Sequence, residues 1–253
     1  MPALELDRLA WPEVKTQIQA GRDTVVMALG ATEQHGLHMP LATDALIGDR
    51  LARVVAERLG AFLAPTLRIG CSQHHVGFAG TMSLNEETYH AVIADLVRSL
   101  LSGGFARIVL LPTHGGNFAP LAGAVAKLEE HERAHVIALT DLGVLFEVAQ
   151  IGEREFGVPL GEGGLHAGEW ETSLMLAIHP ELVRMDGAEA GFTGDLQEAV
   201  AAMFAGGVAS ISANGAIGDP SQSSAGHGER YWSSVIELVL EQIKAPLDDD
   251  GGG

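Results

Sequence analysis

One cysteine, Cys71, stands in a chain of 253 residues. No intramolecular disulfide can form, and a reducing compartment is the natural expectation. Basic residues are scarce as well: 15 Lys and Arg face 33 Asp and Glu, a formal charge of −18. Without a basic excess there is no patch to neutralise a phosphate backbone or an anionic bilayer, which argues against nucleic acid and membrane as partners. No stretch reaches the ~18 uninterrupted apolar residues of a membrane span, and residues 1–11 lack the basic-then-apolar order of a secretory signal. The expectation is a soluble, cytoplasmic protein. What is present in bulk is ordinary for a globular chain, with apolar residues at 47%. The length suits one large α/β domain, read here as residues 1–246, followed by an acidic, glycine-rich flexible tail at 247–253.

Periodicity then organises the chain. Residues 23–30, 106–111 and 135–139 are short runs rich in Val, Ile and Leu, as expected of strands buried on both faces, and 61–67 is a weaker strand. Residues 43–59, 86–102, 117–130, 169–178, 196–206 and 228–243 carry apolar residues at helical spacing. Gly103-Gly104 stops the second of these helices. Residues 142–150 are apolar but short, a helical turn or two, while 151–164 and 211–224 read as glycine-rich loops, the first a candidate active-site loop. Strands alternating with helices predict a three-layer α/β sandwich, its central sheet mostly parallel and flanked by helices. In such sheets ligands bind beyond the carboxyl ends of the strands. Glu33 and His35 follow the first strand and His114 follows the 106–111 strand, so both clusters fall on one edge of the sheet.

The residue types there are those of a divalent metal site. Glu33, His35 and Asp44 lie within twelve positions of one another, and Thr113-His114-Gly115-Gly116-Asn117 and His166-Ala167-Gly168-Glu169-Trp170-Glu171 bring further nitrogen and oxygen donors. Glu33, Asp44 and Glu169 as carboxylates, with neutral His35 and His114, would balance two divalent ions and a bridging hydroxide. Asp44, the only short carboxylate of the set, is the candidate bridge. Two ions sharing a carboxylate sit roughly 3.5–4 Å apart and bring the pKa of water from 15.7 to about 7. Gly115 and Gly116 would let a ligand approach the backbone. His75 and Trp170 are candidate pocket walls, and His38 has a solvated or supporting role. A metal-dependent hydrolase is the expected chemistry, with His166 in a catalytic role and Glu171 orienting His166 or a ligand.

The stretches Gly30-Ala31-Thr32-Glu33-Gln34-His35-Gly36, Leu41-Ala42-Thr43-Asp44, Phe78-Ala79-Gly80-Thr81-Met82-Ser83-Leu84, Thr113-His114-Gly115-Gly116-Asn117, His166-Ala167-Gly168-Glu169-Trp170-Glu171-Thr172-Ser173 and Gly218-Asp219-Pro220 together resemble the creatininase (creatinine amidohydrolase) family. The resemblance implies an α/β fold with a dinuclear centre of Zn, Mn or Fe. It implies hydrolysis of an amide C–N bond in a small molecule, such as a cyclic amide or formamide, and a homo-oligomer, often a hexamer. Glu33, His35, Asp44 and His114 fall on its metal-ligand positions, His166 on its proton-transferring histidine, and Ser72 on a substrate-side serine. In creatininase itself the metal histidine is followed by Tyr and then a ligand Glu, where this chain has Gly115 and Gly116. Glu169 is the expected replacement, as in branches with the His-Ala-Gly-Glu pattern. The His-Gly-Gly-Asn branch also resembles formamide deformylases and a peptidase of peptide-cofactor maturation. A non-catalytic metal or small-molecule binder on the same scaffold is an alternative of a different class, and a lyase or isomerase using the same metals is a third reading.

Overall fold

A run of Val and Leu that alternates between two apolar faces needs a cover on each, and this chain supplies both. In the computed structural model, which describes residues 2–249, strand β2 (Thr24–Leu29) lies parallel to β4 (Arg107–Pro112), paired from Thr24↔Arg107 to Leu29↔Pro112. Short parallel strands complete the sheet: β3 (Phe62–Leu63) beside β2, β1 (Leu4–Glu5) outside β3, and β5 (Val136–Ala138) outside β4, in the order β1-β3-β2-β4-β5. The expected 61–67 strand is reduced to two residues because the chain then leaves the sheet, returning only as an isolated bridge between Leu67 and Leu29.

Helices fill both outer layers. In chain order they are α1 (Trp11–Gln19), α2 (Thr43–Leu59), α3 (Glu86–Ser102), α4 (Phe118–Ala126), α5 (Glu130–Arg133), α6 (Gly143–Ile151), α7 (Leu160–Gly163), α8 (Glu169–Ile178), α9 (Leu196–Gly206) and α10 (Ala225–Asp249). Val26, Ala28, Val109 and Leu111 point to one face, against Leu51 and Val55 of α2, Val148 of α6, Leu174 of α8 and Val239 of α10. Val25, Met27, Leu29, Ile108 and Leu110 point to the other, against Tyr89 and Ile93 of α3 and Leu121 of α4, with Val14 and Ile18 of α1 at the margin. Each fully buried Val, Leu or Ile of these layers contributes about 1.5–3 kcal/mol. Asn85 caps α3 by accepting from the Thr88 N–H at 2.7 Å, worth ~1 kcal/mol.

β1 and α1 have no counterpart in the periodicity, since α1 has no fully buried residue. Its start is nevertheless marked locally: Pro12 sits in the first turn and the Glu13 carboxylate accepts from the Ala10 N–H at 2.8 Å. The 151–164 segment, expected to be an irregular loop, instead holds a π-helical turn at Gly152–Phe156 followed by α7. α10 extends to Asp249, into the segment expected as a tail, and 250–253 lie outside the described residues. No helix among the described residues is long and apolar enough to cross a membrane.

The loop after β2 leads through α2 to β3 on one side, and the loop after β4 leads through α4 to β5 on the other. The carboxyl ends of β2 and β4 therefore flank a topological switch point, where open α/β sheets leave a crevice.

Candidate metal centre

The strand ends are tied together by side chains that fold the motifs inward. Asn117 donates through Nδ2 to the carbonyls of Leu29 and Gly30 at 2.9 and 3.0 Å, and its Oδ1 accepts from the Cys71 N–H at 2.9 Å. One amide thus holds the exits of β2 and β4 and the segment that carries Ser72 and His75. Gly30 lets the first turn of α2 pack on the strand end, since a Cβ there would lie 2.7 Å from the Ala45 Cα. Thr113 Oγ1 donates to the Asp44 carbonyl at 2.8 Å and binds that turn to the end of β4.

Seven buried side chains meet as a result: Glu33, His35, Asp44, His75, His114, His166 and Glu171. Asp44 spans two histidines with one oxygen each, Oδ1 lying 3.4 Å from His35 Nε2 and Oδ2 3.5 Å from His114 Nδ1. Glu33 Oε1 lies 3.3 Å from both His114 Nδ1 and His75 Nε2, and 3.7 Å from His166 Nδ1. Glu171 Oε1 lies 3.5 Å from His35 Nε2. Among the described residues, every ion-pair partner of these three carboxylates is a histidine. Both oxygens of Glu33, Oδ2 of Asp44 and Nε2 of His35 are buried without a hydrogen-bond partner. Native interiors rarely tolerate so many unsatisfied polar atoms in one place, and three buried carboxylates need compensating positive charge. These donors fit divalent ions on both counts.

The ring nitrogens are aimed for the same purpose. His35 Nδ1 donates to the Glu33 carbonyl at 3.0 Å and His114 Nε2 to the Cys71 carbonyl at 3.1 Å. Each bond fixes the tautomer and leaves the other nitrogen's lone pair facing the carboxylates, the arrangement that metal-binding histidines need. Gly116 protects the second of these bonds, because a Cβ there would collide with His114 Nε2 and the Cys71 carbonyl.

Charge in the cluster is shared with protons. Burial raises the Glu33 carboxyl to about 7. Burial would lower His35 and His114, but it is outweighed by Asp44 and Glu171 around the first and by Glu33 and Asp44 around the second, so both are raised. Burial would raise Glu171, but His35 beside it holds it at about 2. Burial, with His35 nearby, lowers His166 to about 4. Metal binding must therefore displace protons from Glu33, His35 and His114. The sign follows: a carboxyl raised to about 7 takes a proton as the pH falls through that value, so uptake weakens at acid pH. Isothermal titration calorimetry of zinc binding at pH 7 is expected to give heats that change with the buffer's ionisation enthalpy, reporting net proton release. Heats independent of buffer would contradict this charge assignment.

Glu169, expected as a metal ligand, does not join the cluster. Its Oε1 accepts from Ser173 Oγ and His227 Nδ1, both at 2.8 Å, and its Oε2 from the Tyr231 hydroxyl at 2.6 Å. It ties α8 to α10. Residues two apart on a helix face nearly opposite sides, so only one of Glu169 and Glu171 can face the histidines. That one is Glu171, whose Oε2 also accepts from the Ala167 N–H at 2.6 Å at the start of α8. Ala167 adopts a left-handed conformation (φ 52°), rare for a residue with a Cβ. It is held there by the His166–Ile217 bridge and by the close backbone packing of Gly164, Gly168 and Gly218.

The other expected site residues are placed as follows. Ser72 is buried beside Glu33 without completing a hydrogen bond. His75 is inside the cluster rather than on its wall. Gly115 is exposed next to His114. Trp170 packs in the core and donates from Nε1 to the Gly164 carbonyl at 3.1 Å. His38 is buried in a supporting position, 2.8 Å from Thr172 Oγ1. Gln34 and Asn117, which carry no signal of their own within the sequence motifs, are structural keystones of the site.

With this geometry in hand, comparison with known proteins gives a family. Residues 7–243 match the model of the creatininase family, creatinine amidohydrolase. The mycofactocin precursor peptide peptidase of Mycolicibacterium smegmatis is 35% identical over 234 residues, 90% of this chain and 87% of that protein. The creatinine amidohydrolase of Pseudomonas putida is 34% identical over 189 residues, covering 70% of this chain and 73% of that protein. A crystal structure of creatininase superposes with a TM-score of 0.79 at 26% identity, over 95% of this chain and 96% of the other. Among further solved creatininases, one is described as a manganese form and a mutant as Zn-Zn type. The chain belongs to the creatinine amidohydrolase family and is a hydrolase acting on C–N bonds.

Proposed function

We propose that this chain hydrolyses an amide C–N bond at a pair of divalent ions, zinc or manganese being the metals its relatives point to. The carrying observation is the two-sided Asp44 carboxylate, with Glu33 and His114 on one side and His35 and Glu171 on the other. Each side offers two carboxylate donors and one imidazole nitrogen. Ions held there would supply water acidified toward neutral pH and an electrophile for a carbonyl oxygen. The three carboxylates balance most of the positive charge, and the fixed tautomers of His35 and His114 keep two lone pairs in place. His166 is the proton carrier. Its Nε2 donates to the Gln34 carbonyl at 2.6 Å, and its Nδ1 faces the cluster with a lone pair. A neutral imidazole so anchored accepts a proton from water at Nδ1 and returns it to the leaving nitrogen.

A small non-peptide amide is the first reading of the substrate. A peptide amide is the second, favoured by the fuller coverage of the chain by the peptide peptidase than by the creatinine amidohydrolase. Assay of the zinc- and manganese-loaded protein in ¹⁸O water separates these. Creatinine, cyclic imides and formamides stand for the first class and short peptides for the second. One ¹⁸O incorporated into a carboxylate product, lost on chelation and restored by metal, is the expected result. Turnover unaffected by chelation would overturn the proposal. A homo-oligomer, a hexamer in the form the resemblance implies, belongs to the same reading and is measured by sedimentation.

A further inference from the structure

Gln34 lies between two ligand candidates in sequence and touches two histidines of the cluster, but it offers no charge. Its value is in what its amide can and cannot do. Oε1 accepts from the Gly36 N–H at 3.0 Å, and Nε2 donates to the Gly215 carbonyl at 3.0 Å, so the amide can adopt only one orientation. Gly215 has φ +87°, and a Cβ there would collide with the Gln34 amide, so the glycine keeps that seat open. One N–H of Gln34 is left, and it points at His75 Nδ1, 2.8 Å away. An N–H facing Nδ1 requires a lone pair there. His75 must therefore carry its proton on Nε2, which lies 3.3 Å from Glu33 Oε1. Both amide protons are then used, so the 3.0 Å approach of Gln34 Nε2 to His166 Nε2 is not a hydrogen bond. His166 Nε2 instead donates to the main-chain carbonyl of the same residue at 2.6 Å.

We infer that Gln34 is a positioning residue that sets opposite roles for two neighbouring histidines. It puts the His75 proton on the Nε2 that faces Glu33, so that nitrogen offers no lone pair to a metal, and it leaves His166 Nδ1 as the open lone pair of the site. His75 lies close enough to Glu33 and His166 for the three to look like a third set of metal ligands, and the Gln34 amide removes it from that role. This rests on reading the cluster as a hydrolytic metal site, but the proton positions can be measured without any turnover.

The test is a long-range ¹H–¹⁵N correlation spectrum of zinc-loaded protein carrying ring-labelled histidine, with His75 assigned by its loss in His75→Gln. The expected signature for His75 is a protonated Nε2 and an unprotonated, zinc-free Nδ1. In Gln34→Glu, which keeps the shape and removes both N–H donors, the His75 proton is expected to move to Nδ1. Zinc content stays at the wild-type level and kcat falls about 10–100-fold, with KM changed far less. Gln34→Met, which has no polar atoms, is expected to give a mixture of both tautomers. A wild-type His75 protonated on Nδ1 with Nε2 bound to zinc overturns the inference, as does an unchanged His75 signature in Gln34→Glu. A shifted tautomer in a protein that hydrolyses no amide would instead leave the clamp standing and remove the reaction assigned to the site.

Discussion

Glu33→Gln is expected to lower turnover by on the order of 10³-fold or more, because it removes charge that both holds the ions and lets them acidify water. Glu33 is fully buried, both of its oxygens lack hydrogen-bond partners, and its Oε1 faces three histidines. Nothing but a cation or a proton satisfies such a group. The amide keeps the volume and loses the charge, so metal content should fall together with rate while the metal-free protein folds as before. Glu169→Ala is the matched control. Its carboxylate accepts three hydrogen bonds outside the cluster, so losing it is expected to cost about 3 kcal/mol of stability with metal stoichiometry unchanged. Elemental analysis and denaturant unfolding of the two variants separate the roles. Metal retained in Glu33→Gln, or lost in a folded Glu169→Ala, would exchange the assignments.

Chelation is expected to destabilise the whole fold, since the cluster joins β2, β4, the loop bearing His75 and the start of α8. At free metal ~1000-fold above Kd, binding adds about 4 kcal/mol. At ~2–4 °C per kcal/mol for a domain of this size, the stripped protein should unfold roughly 8–16 °C lower. Below pH 7 the gap should narrow, because Glu33 then holds its proton and competes with the metal. Differential scanning calorimetry with and without chelator, at two pH values, measures both effects. Identical unfolding temperatures would mean that the carboxylates are satisfied in some other way.

The parts that were legible in the sequence are those governed by a local rule. The 23–30 and 106–111 strands appear as Thr24–Leu29 and Arg107–Pro112 because both faces of the sheet are apolar, and a continuous Val/Leu run records that. Glu33, His35, Asp44, His114 and His166 converge because they follow strand ends or loops on one edge of that sheet. Glu169 was misplaced for a reason also present in the sequence: positions 169 and 171 are two apart on one helix and cannot share a face. Helix phase could have excluded one of them, but choosing Glu171 required knowing which side of α8 meets the histidines. Gln34 and Asn117 were beyond sequence reading altogether. An amide declares its role only through its partners, and theirs lie as far away as Gly215 and Cys71. Helix α1 was hidden because it covers the margin of the core and has no fully buried residue.

Anomalous diffraction from crystals grown with zinc or manganese, recorded on both sides of the metal's absorption edge, tests the dinuclear reading most directly. Two peaks roughly 3.5–4 Å apart are expected, one among Glu33, His114 and Asp44, the other among His35, Glu171 and Asp44. A metal-loaded crystal with no peak between these side chains, or with the metal seated against Glu169, would contradict it.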